Sequence, residues 1–431
     1  MGFLLSVVKF ITQQILGVPA LLVGVVALIG LIVQKKKFHE ILAGTFRTTI
    51  GFMIIGVGAG ALVGVLMPMS NMFQKGLNIS GNYPFNENVV ALALPIYGAL
   101  VVYVMAAGFV VNLILARVTK WKYVYLTGHI MLFTATIITV MFKLWSPLPD
   151  GLIVIVGGMI AGFFNTFLPA ICQPYMTKVT GGQPLAYGHS SNVVAFLGGW
   201  LGSKFGDPSK NANDIKLPKA LMFFRDSTVG TAVTMMLFYL GIVIIVGPGL
   251  ASTYSGSTSP WIWIVMQGLM FGGGVSVLLS GVRMLIGEIV VAFKGISDRV
   301  VPNALPALDC PVVMPYAPNA WLIGFAVSYV LGLIFTVVLG ATKLFPVLVI
   351  ASVIPHFFDS GPAAVFGNAT GGVKGAIIAA VVSSIIVTFG ISLLIPITGP
   401  GLADSGTSWC CSDYGTIYMG LGYLLKFIFG R

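Results

Sequence analysis

The segment NALPALDCPVVMPYAPNA, residues 303–320, places one carboxylate, Asp309, and four prolines between two long apolar runs. Each proline removes a backbone hydrogen bond, so four prolines in this segment predict an interrupted helix. A charged side chain at mid-bilayer depth costs at least ~2.5 kcal/mol on insertion scales, and such residues face the protein interior or a water-filled cavity. The segment therefore predicts an interrupted, membrane-embedded stretch around a functional carboxylate.

The composition of the chain extends this prediction to its whole length. Of 431 residues, 57% are hydrophobic and only 8% are charged, whereas soluble domains contain about 25% charged residues. Apolar runs of about twenty residues, sufficient to cross the hydrocarbon core, recur throughout. We expect an all-α polytopic membrane protein in which residues 1–431 form a single transmembrane transporter unit surrounded by membrane lipid.

The basic residues predict the topology. The net charge of +11 does not indicate a nucleic-acid partner, because the basic residues lie in short connectors without the interleaved aromatic residues of a base-stacking groove. Under the positive-inside rule these connectors are cytoplasmic, which places the N-terminus outside if residues 15–34 form the first full span. The connectors are residues 35–37, 117–122 and 203–219.

Apolar segments and their interruptions alternate along the chain. Two of the predicted spans, 41–67 and 261–292, are too long for an upright helix and must tilt. The other predicted spans are 15–34, 90–116, 122–144, 150–172, 228–249, 320–341, 374–397 and a final span within 410–431. A polar loop is expected at 68–88, and stretches interrupted by Gly and Pro are expected at 173–202, 345–368 and 401–417.

The two halves of the chain have similar patterns. Residues 51–79 and 281–308 each run from a glycine through a long helix into a polar exit containing Met or Pro, and each half then has an interrupted segment downstream. Internal repeats with interrupted segments at corresponding positions are typical of secondary-type transporter folds. We expect two repeats, which are inverted if each contains an odd number of spans.

Polar residues that lipid would not tolerate fall in these interruptions. Helix ends at such breaks supply free N–H groups and partial charges that suit a polyol or an anionic sugar. A lone histidine such as His129 can instead be satisfied by a neighbouring carbonyl, and Asp309 can instead cap a helix, although it lies eleven residues before Ala320. The candidate residues are Asn82, Tyr83, His129, His189, Ser190, Asp309, Asp359 and Ser360.

Several enzyme classes lack their sequence motifs here. The chain contains no GxxxxGK[ST], HExxH or GxSxG motif, which excludes the usual sites of nucleotide hydrolysis, zinc proteolysis and serine hydrolysis. The four cysteines show no metal-ligand spacing and no electropositive setting that would lower a thiol pKa. We therefore expect no metal site, no cofactor and no phosphoryl-carrier residue.

Several motifs together resemble one known family. They are GTFRTTIGFMIIGVGAG (44–60), LTGHIM (126–131), FKGISDRVVPNALPALDC (293–310) and PHFFDSGPAAVFGN (355–368). The chain resembles, over about residues 15 to 400, the membrane-embedded C component of the L-ascorbate phosphotransferase system. The resemblance implies a homodimer in the bacterial inner membrane, with about eleven transmembrane helices per protomer and a cytosolic B component that donates phosphate from a phosphocysteine.

The resemblance also implies a division of each protomer and a substrate pocket. The scaffold (V-motif) part would comprise about 1–67 and 228–300, and the core part about 80–203 and 303–400. The pocket would contain Asn82, Tyr83, His129, His189, Asp309, Asp359 and Ser360. The family pattern has glutamine at two further positions, where this chain has Phe133 and Ser190. We therefore expect the transported sugar to be L-ascorbate or a related sugar acid or polyol.

The predicted function is that of a permease subunit coupled to phosphorylation. Asp309 is the expected base for the hydroxyl that accepts phosphate, because a base must lie within hydrogen-bond reach of that proton. The alternative is an ion-coupled secondary transporter or channel without phosphorylation, in which Asp309 and Asp359 bind a proton or a sodium ion.

Overall fold

The computed structural model describes residues 10, 14, 18–77, 82–215, 227–299, 301–398 and 407–430. This part of the chain is mostly helical, which confirms the predicted all-α membrane class. The helices of the first half are α1 Pro19–Val33, α2 Phe38–Leu77, α3 Asn86–Val118, α4 Gly128–Trp145, α5 Asp150–Thr180 and α6 Asn192–Phe205. Those of the second half are α7 Ser227–Val246, α8 Pro248–Ser255, α9 Pro260–Arg299, α10 Pro318–Thr342, α11 Val353–Phe358, α12 Ser360–Ile385, α13 Ile391–Thr398 and α14 Met419–Phe429.

Short strands and tight helical turns lie between these helices. The strands are β1 Tyr83–Pro84, β2 Tyr123–Tyr125, β3 Ala186–Tyr187, β4 Leu305–Leu308 and β5 Thr407–Ser408. Two 3₁₀ turns are Ala212–Asp214 and Cys310–Tyr316, and two π-helical turns are Ile386–Gly390 and Tyr414–Tyr418. Some predicted features lie outside the described residues, namely 15–17 of the first span, 216–219 of the basic connector and 401–406 of the last interrupted stretch.

Eight helical stretches in the described part are long and apolar enough to cross a membrane. The total of about eleven spans and the inverted repeats remain predictions. The polar loop expected at 68–88 is wrong in extent, because α2 continues through Pro68 to Leu77. Proline is tolerated inside membrane helices, where neighbouring helices and local adjustments satisfy the freed backbone groups.

The interrupted stretch expected at 173–202 is also shorter than predicted. Helix α5 continues through Pro174 to Thr180, and α6 begins at Asn192. The non-helical part is therefore residues 181–191. This short connection contains both β3 and His189.

The interruption expected at 345–368 ends earlier than predicted. Helical structure begins at Val353 and continues through α12, with non-helical backbone only at Gly371 and Gly372. Gly372 has a φ of 60°, a left-handed conformation that favours glycine. The carbonyl of Gly371 accepts a hydrogen bond from the backbone N–H of Asp207 at 2.9 Å, so the connector after α6 packs against this kink.

Helices α2 and α9 are the two longest in the described part of the chain and pack along each other. Each contains 40 residues, and at 1.5 Å per residue each is about 60 Å long, roughly twice the hydrocarbon thickness. At their crossing a Cβ on Gly274 would lie 3.0 Å from Leu62 and 3.2 Å from Ala61. Helix α1 packs on α2, and α7 packs on α9.

The remaining long helices pack mainly among themselves. Helix α3 lies against α5, and α12 lies against both α6 and α10. The large buried side chains near these contacts include Phe325, Tyr329 and Phe366. This packing brings the non-helical segments before α4, α6 and α10 together.

A three-stranded parallel sheet forms where those segments meet. Strand β4 is central, with β2 on one side and β3 on the other. Tyr123 pairs with Leu305, and Ala186 pairs with Ala307. Because parallel strands run in the same direction, the residues that follow all three strands emerge at one edge of the sheet.

Candidate functional site

Three predicted site residues meet at the carboxyl edge of this sheet. Asp309 directly follows β4, His189 follows β3 and His129 follows β2. The Nε2 atom of His129 lies 3.5 Å from Oδ2 of Asp309, and Nε2 of His189 lies 3.9 Å from Oδ1. The sheet thus places two imidazoles on either side of one carboxylate. We call these three residues the sheet-edge triad.

Close backbone contact fixes the sheet edge. The backbone N–H of Gly188 donates to the carbonyl of Leu308 at 2.8 Å, and the hydroxyl of Thr127 donates to the carbonyl of Gly188 at 2.5 Å. A Cβ on Gly188 would lie 2.9 Å from the backbone of Ala307, a distance that real Cβ atoms do not adopt. Glycine at this position therefore allows the strand before His189 to approach β4.

Asp309 combines a local structural role with its place in the triad. Its Oδ1 accepts a hydrogen bond from the backbone N–H of Cys310 at 2.7 Å, which caps the 3₁₀ turn Cys310–Tyr316. The cap alternative therefore applies to this short turn, and not to α10, which begins at Pro318. Since Oδ2 faces His129 and the side chain is 19% exposed, the carboxylate is held rigidly while remaining accessible.

The ring of His189 is oriented by residues that sequence reasoning missed. Its Nδ1 lies 2.7 Å from the hydroxyl of Ser191, and that hydroxyl lies 2.5 Å from the hydroxyl of Tyr187. Only Tyr187 lies in a strand, whereas residues 189–191 form a bend and a turn. The period-two spacing of an extended strand therefore gave no signal for the contact between Ser191 and His189.

The three triad residues differ in exposure. His189 is buried with a side-chain exposure of 6%, whereas that of His129 is 31%. The triad therefore has a closed side at His189 and an open side at His129, with Asp309 between them. A polar ligand that enters from the open side can contact the carboxylate and both imidazole Nε2 atoms.

Comparison with known proteins identifies the family. A family model described as the phosphotransferase system (PTS) sugar-specific permease component, EIIC-GAT, matches residues 14–413. The chain belongs to this family. It is 28% identical over 435 residues to the "Ascorbate-specific PTS system EIIC component" of Mycoplasma pneumoniae, covering 88% of this chain and 65% of that protein. This PTS permease is a multi-pass protein of the bacterial inner membrane.

The two positions where this PTS permease departs from the expected glutamines adjoin the triad. The ring of Phe133 meets the ring of His129 edge to face, with the centroids 5.7 Å apart. Ser190 directly follows His189 and is buried. One side of the pocket is therefore less polar than two glutamine amides would make it.

Asp359 and Ser360 make their hydrogen bonds elsewhere in the permease. Oδ2 of Asp359 accepts a hydrogen bond from the backbone N–H of Ser412 at 2.5 Å. The hydroxyl of Ser360 lies 2.7 Å from the hydroxyls of both Ser328 and Ser383. Both residues are fully buried. Their contribution to a substrate pocket remains a prediction.

Asn82 also joins distant segments of the permease. Its side-chain amide donates to the carbonyl of Thr407 at 3.0 Å, and its backbone N–H donates to the carbonyl of Leu348 at 2.8 Å. Tyr83 forms strand β1, which pairs with β5, and its side chain lies outside the described residues. A substrate-binding role for Asn82 and Tyr83 remains a prediction.

A buried carboxylate that was not predicted anchors one wall of the site. Asp413 accepts hydrogen bonds from the backbone N–H groups of Asn192 at 3.2 Å and Val193 at 2.8 Å. Its own backbone N–H donates to the carbonyl of Ser190 at 2.9 Å. Asp413 therefore caps the first turn of α6, just after His189. No local spacing could reveal this partnership, because the residues are more than two hundred positions apart.

Proposed function

We propose that this PTS permease carries L-ascorbate, or a related sugar acid or polyol, across the inner membrane while a cytosolic B component phosphorylates it. The sheet-edge triad is the observation that supports this proposal, because a carboxylate between two imidazoles can bind several neighbouring hydroxyl groups at once. The Mycoplasma pneumoniae relative is described as ascorbate-specific, which supports a sugar acid over an unrelated solute.

In the proposed mechanism Asp309 orients and deprotonates the hydroxyl that accepts phosphate. Cys310 N–H and the histidines at 3.5 and 3.9 Å fix the carboxylate, and a base so fixed needs no reorganisation during proton transfer. The phosphoryl group leaves the cysteine of the B component as the S–P bond breaks and the new O–P bond forms. The hydroxyl proton passes to Asp309, and the cysteine leaves as a thiolate.

The helix packing supports the proposed division of each protomer. Helices α2, α7 and α9 contact one another. Most of their length lies in the scaffold ranges proposed from the resemblance, although α2 extends ten residues past the first range, to Leu77. Helices α3, α5, α6 and α12 belong to the proposed core, which carries the triad. We propose that the core moves against this scaffold and that the scaffold mediates a homodimer, since the 40-residue helices α2 and α9 must tilt and pack against neighbours.

One observation favours the ion-coupled alternative. Asp359 is fully buried and lies in the apolar helical stretch Ile354–Thr398. A buried carboxylate at membrane depth can take up a proton or a small cation during transport. This role would not need a B component.

Proteoliposomes that contain the purified permease separate the two mechanisms. With phosphorylated B component enclosed, labelled L-ascorbate should accumulate inside as the sugar phosphate, and galactitol should compete poorly. Without B component, a proton or sodium gradient should produce no accumulation. Accumulation of unmodified sugar under a gradient alone would contradict coupled phosphorylation and support the alternative.

A further inference from the structure

The sheet-edge triad also has the composition of a transition-metal site. One ligand atom from each of His129, His189 and Asp309 lies within 4.8 Å of the others. We propose that these three residues bind a divalent transition-metal ion such as Zn²⁺, and that the ion excludes the sugar from the pocket. The sequence indicated no metal site, because the ligands come from three distant segments and so have no characteristic spacing.

The distances in the triad suit a metal ion of this size. In a tetrahedral zinc site with bonds of about 2.0 to 2.2 Å, adjacent ligand atoms lie roughly 3.3 to 3.6 Å apart. Nε2 of His129 lies 3.5 Å from Oδ2 of Asp309, Nε2 of His189 lies 3.9 Å from Oδ1 of the same carboxylate, and one ligand atom of each residue lies within 4.8 Å of the others. Small side-chain rotations at His189 and at the partly exposed His129 would therefore bring all three atoms into coordination range. Two imidazoles and one carboxylate leave a fourth position open, as in catalytic zinc sites.

The groups around the triad would support coordination. Metal-bound histidines usually make a second hydrogen bond through the other ring nitrogen, which fixes the ring. Nδ1 of His189 has such a partner in Ser191, which in turn meets Tyr187. Asp309 is fixed by the N–H of Cys310. Imidazole ligands favour Zn²⁺ and related transition ions over Mg²⁺ or Ca²⁺, which prefer all-oxygen sites.

The metal ion and the sugar would compete because both would use the same atoms of the triad. An ion coordinated by Asp309 occupies the carboxylate that the proposed function assigns to the substrate hydroxyl, and it takes both Nε2 atoms as well. The competition rests on the proposed function, whereas binding of the ion does not. Micromolar Zn²⁺ would then inhibit uptake by occupying the sugar-binding pocket.

Equilibrium dialysis of Zn²⁺ against the metal-stripped permease, purified without a polyhistidine tag, tests the ion site. We expect one ion per protomer, with affinity at least tenfold lower in His189→Ala and in Asp309→Asn. His39→Ala is the matched control, because His39 is exposed at the start of α2. Zinc binding that is equal in all four proteins, or no binding at micromolar concentration, would overturn the proposal.

Cobalt(II) gives a measurement that needs no variant. Bound at the triad of the wild-type permease, Co²⁺ should show the intense visible absorption of a four-coordinate site, and stoichiometric Zn²⁺ should abolish that absorption. A spectrum of hydrated Co²⁺ would contradict the site.

Labelled L-ascorbate then tests the competition. Its binding should weaken at least tenfold when Zn²⁺ is bound and recover with a chelator. Unchanged sugar binding in the presence of bound ion would overturn the competition. Binding of the ion without any binding of ascorbate would reject the proposed substrate while leaving the metal site intact.

Discussion

Ser191 holds the ring of His189, with its Oγ 2.7 Å from Nδ1, so that Nε2 faces Asp309 at 3.9 Å. A buried hydrogen bond of this kind contributes about 1 kcal/mol. Ser191→Ala should therefore weaken sugar binding about fivefold, and Ser191→Thr should retain most of the affinity. Isothermal titration against L-ascorbate measures the effect.

The control for this change is Ser203→Ala. Ser203 is exposed at the end of α6, where its hydroxyl donates to the carbonyl of Trp200, and the variant should bind normally. Equal affinities in Ser191→Ala and Ser203→Ala would show that the orientation of His189 does not depend on Ser191.

Asp309→Asn should separate binding from coupled uptake. Asparagine can still accept the hydrogen bond from Cys310 N–H and cap the 3₁₀ turn, so the pocket keeps its shape and binds sugar in part. Because the amide has no basicity, phosphorylation-coupled uptake should fall roughly 10²-fold or more. Both quantities should be measured on the same preparation.

Two results would revise the role of Asp309. Unchanged uptake in Asp309→Asn would remove it as the base. Complete loss of binding together with uptake would make it a substrate ligand whose charge is required.

Gly188→Ala should disrupt the triad through the backbone. The added Cβ would meet the backbone of Ala307 at 2.9 Å, and overpacking of this kind typically costs about 1 to 3 kcal/mol. We expect a lower melting temperature in detergent and loss of ascorbate binding. Gly151→Ala, at the start of α5, is the control, since its Cβ would meet no atom within 4 Å. Normal binding in Gly188→Ala would show that the sheet edge can widen without moving His189.

Phe133→Gln should change which sugar is preferred. Phe133 contacts His129, the most accessible residue of the triad, and an amide there could donate to and accept from a sugar hydroxyl. Recognition of hydroxyl groups depends strongly on paired polar groups, so we expect the ratio of ascorbate to galactitol affinity to rise roughly tenfold. Phe205→Gln, an exposed position at the end of α6, should leave the ratio unchanged. A constant ratio in both variants would show that Phe133 does not contact the substrate.

The sequence could predict the membrane class and could indicate Asp309, His129 and His189 as candidates, because each prediction rests on a local conflict. It could not predict the three-stranded sheet that brings these residues together. Asp309 stands among prolines between apolar runs, and His129 and His189 stand in breaks that lipid would not tolerate. A polar group in such a setting is costly unless the protein provides a partner or a cavity. A polar residue in an apolar, interrupted segment can therefore be recognised as a candidate site residue from the sequence alone.

The roles of Asp413 and Ser191 could not be predicted in the same way. Asp413 caps a helix whose first residue, Asn192, is distant in sequence, and only the packed chain brings the two together. The prolines caused a different error, because they suggested non-helical segments where the helices in fact continue. Pro68 and Pro174 lie inside continuous helices, since a membrane protein can satisfy the freed carbonyls through neighbouring segments.

The order of the strands has a consequence for biosynthesis. In the described sheet β2 and β3 both pair with β4 and not with each other, so the middle strand is the last of the three to leave the ribosome. His129 and His189 are therefore translated long before the segment that aligns them. Contacts of such long sequence separation form late and slowly. A nascent chain stalled before residue 305 should insert its first helices but lack the binding site. The permease can bind its ligand only after the second half of the chain has supplied β4 and Asp309.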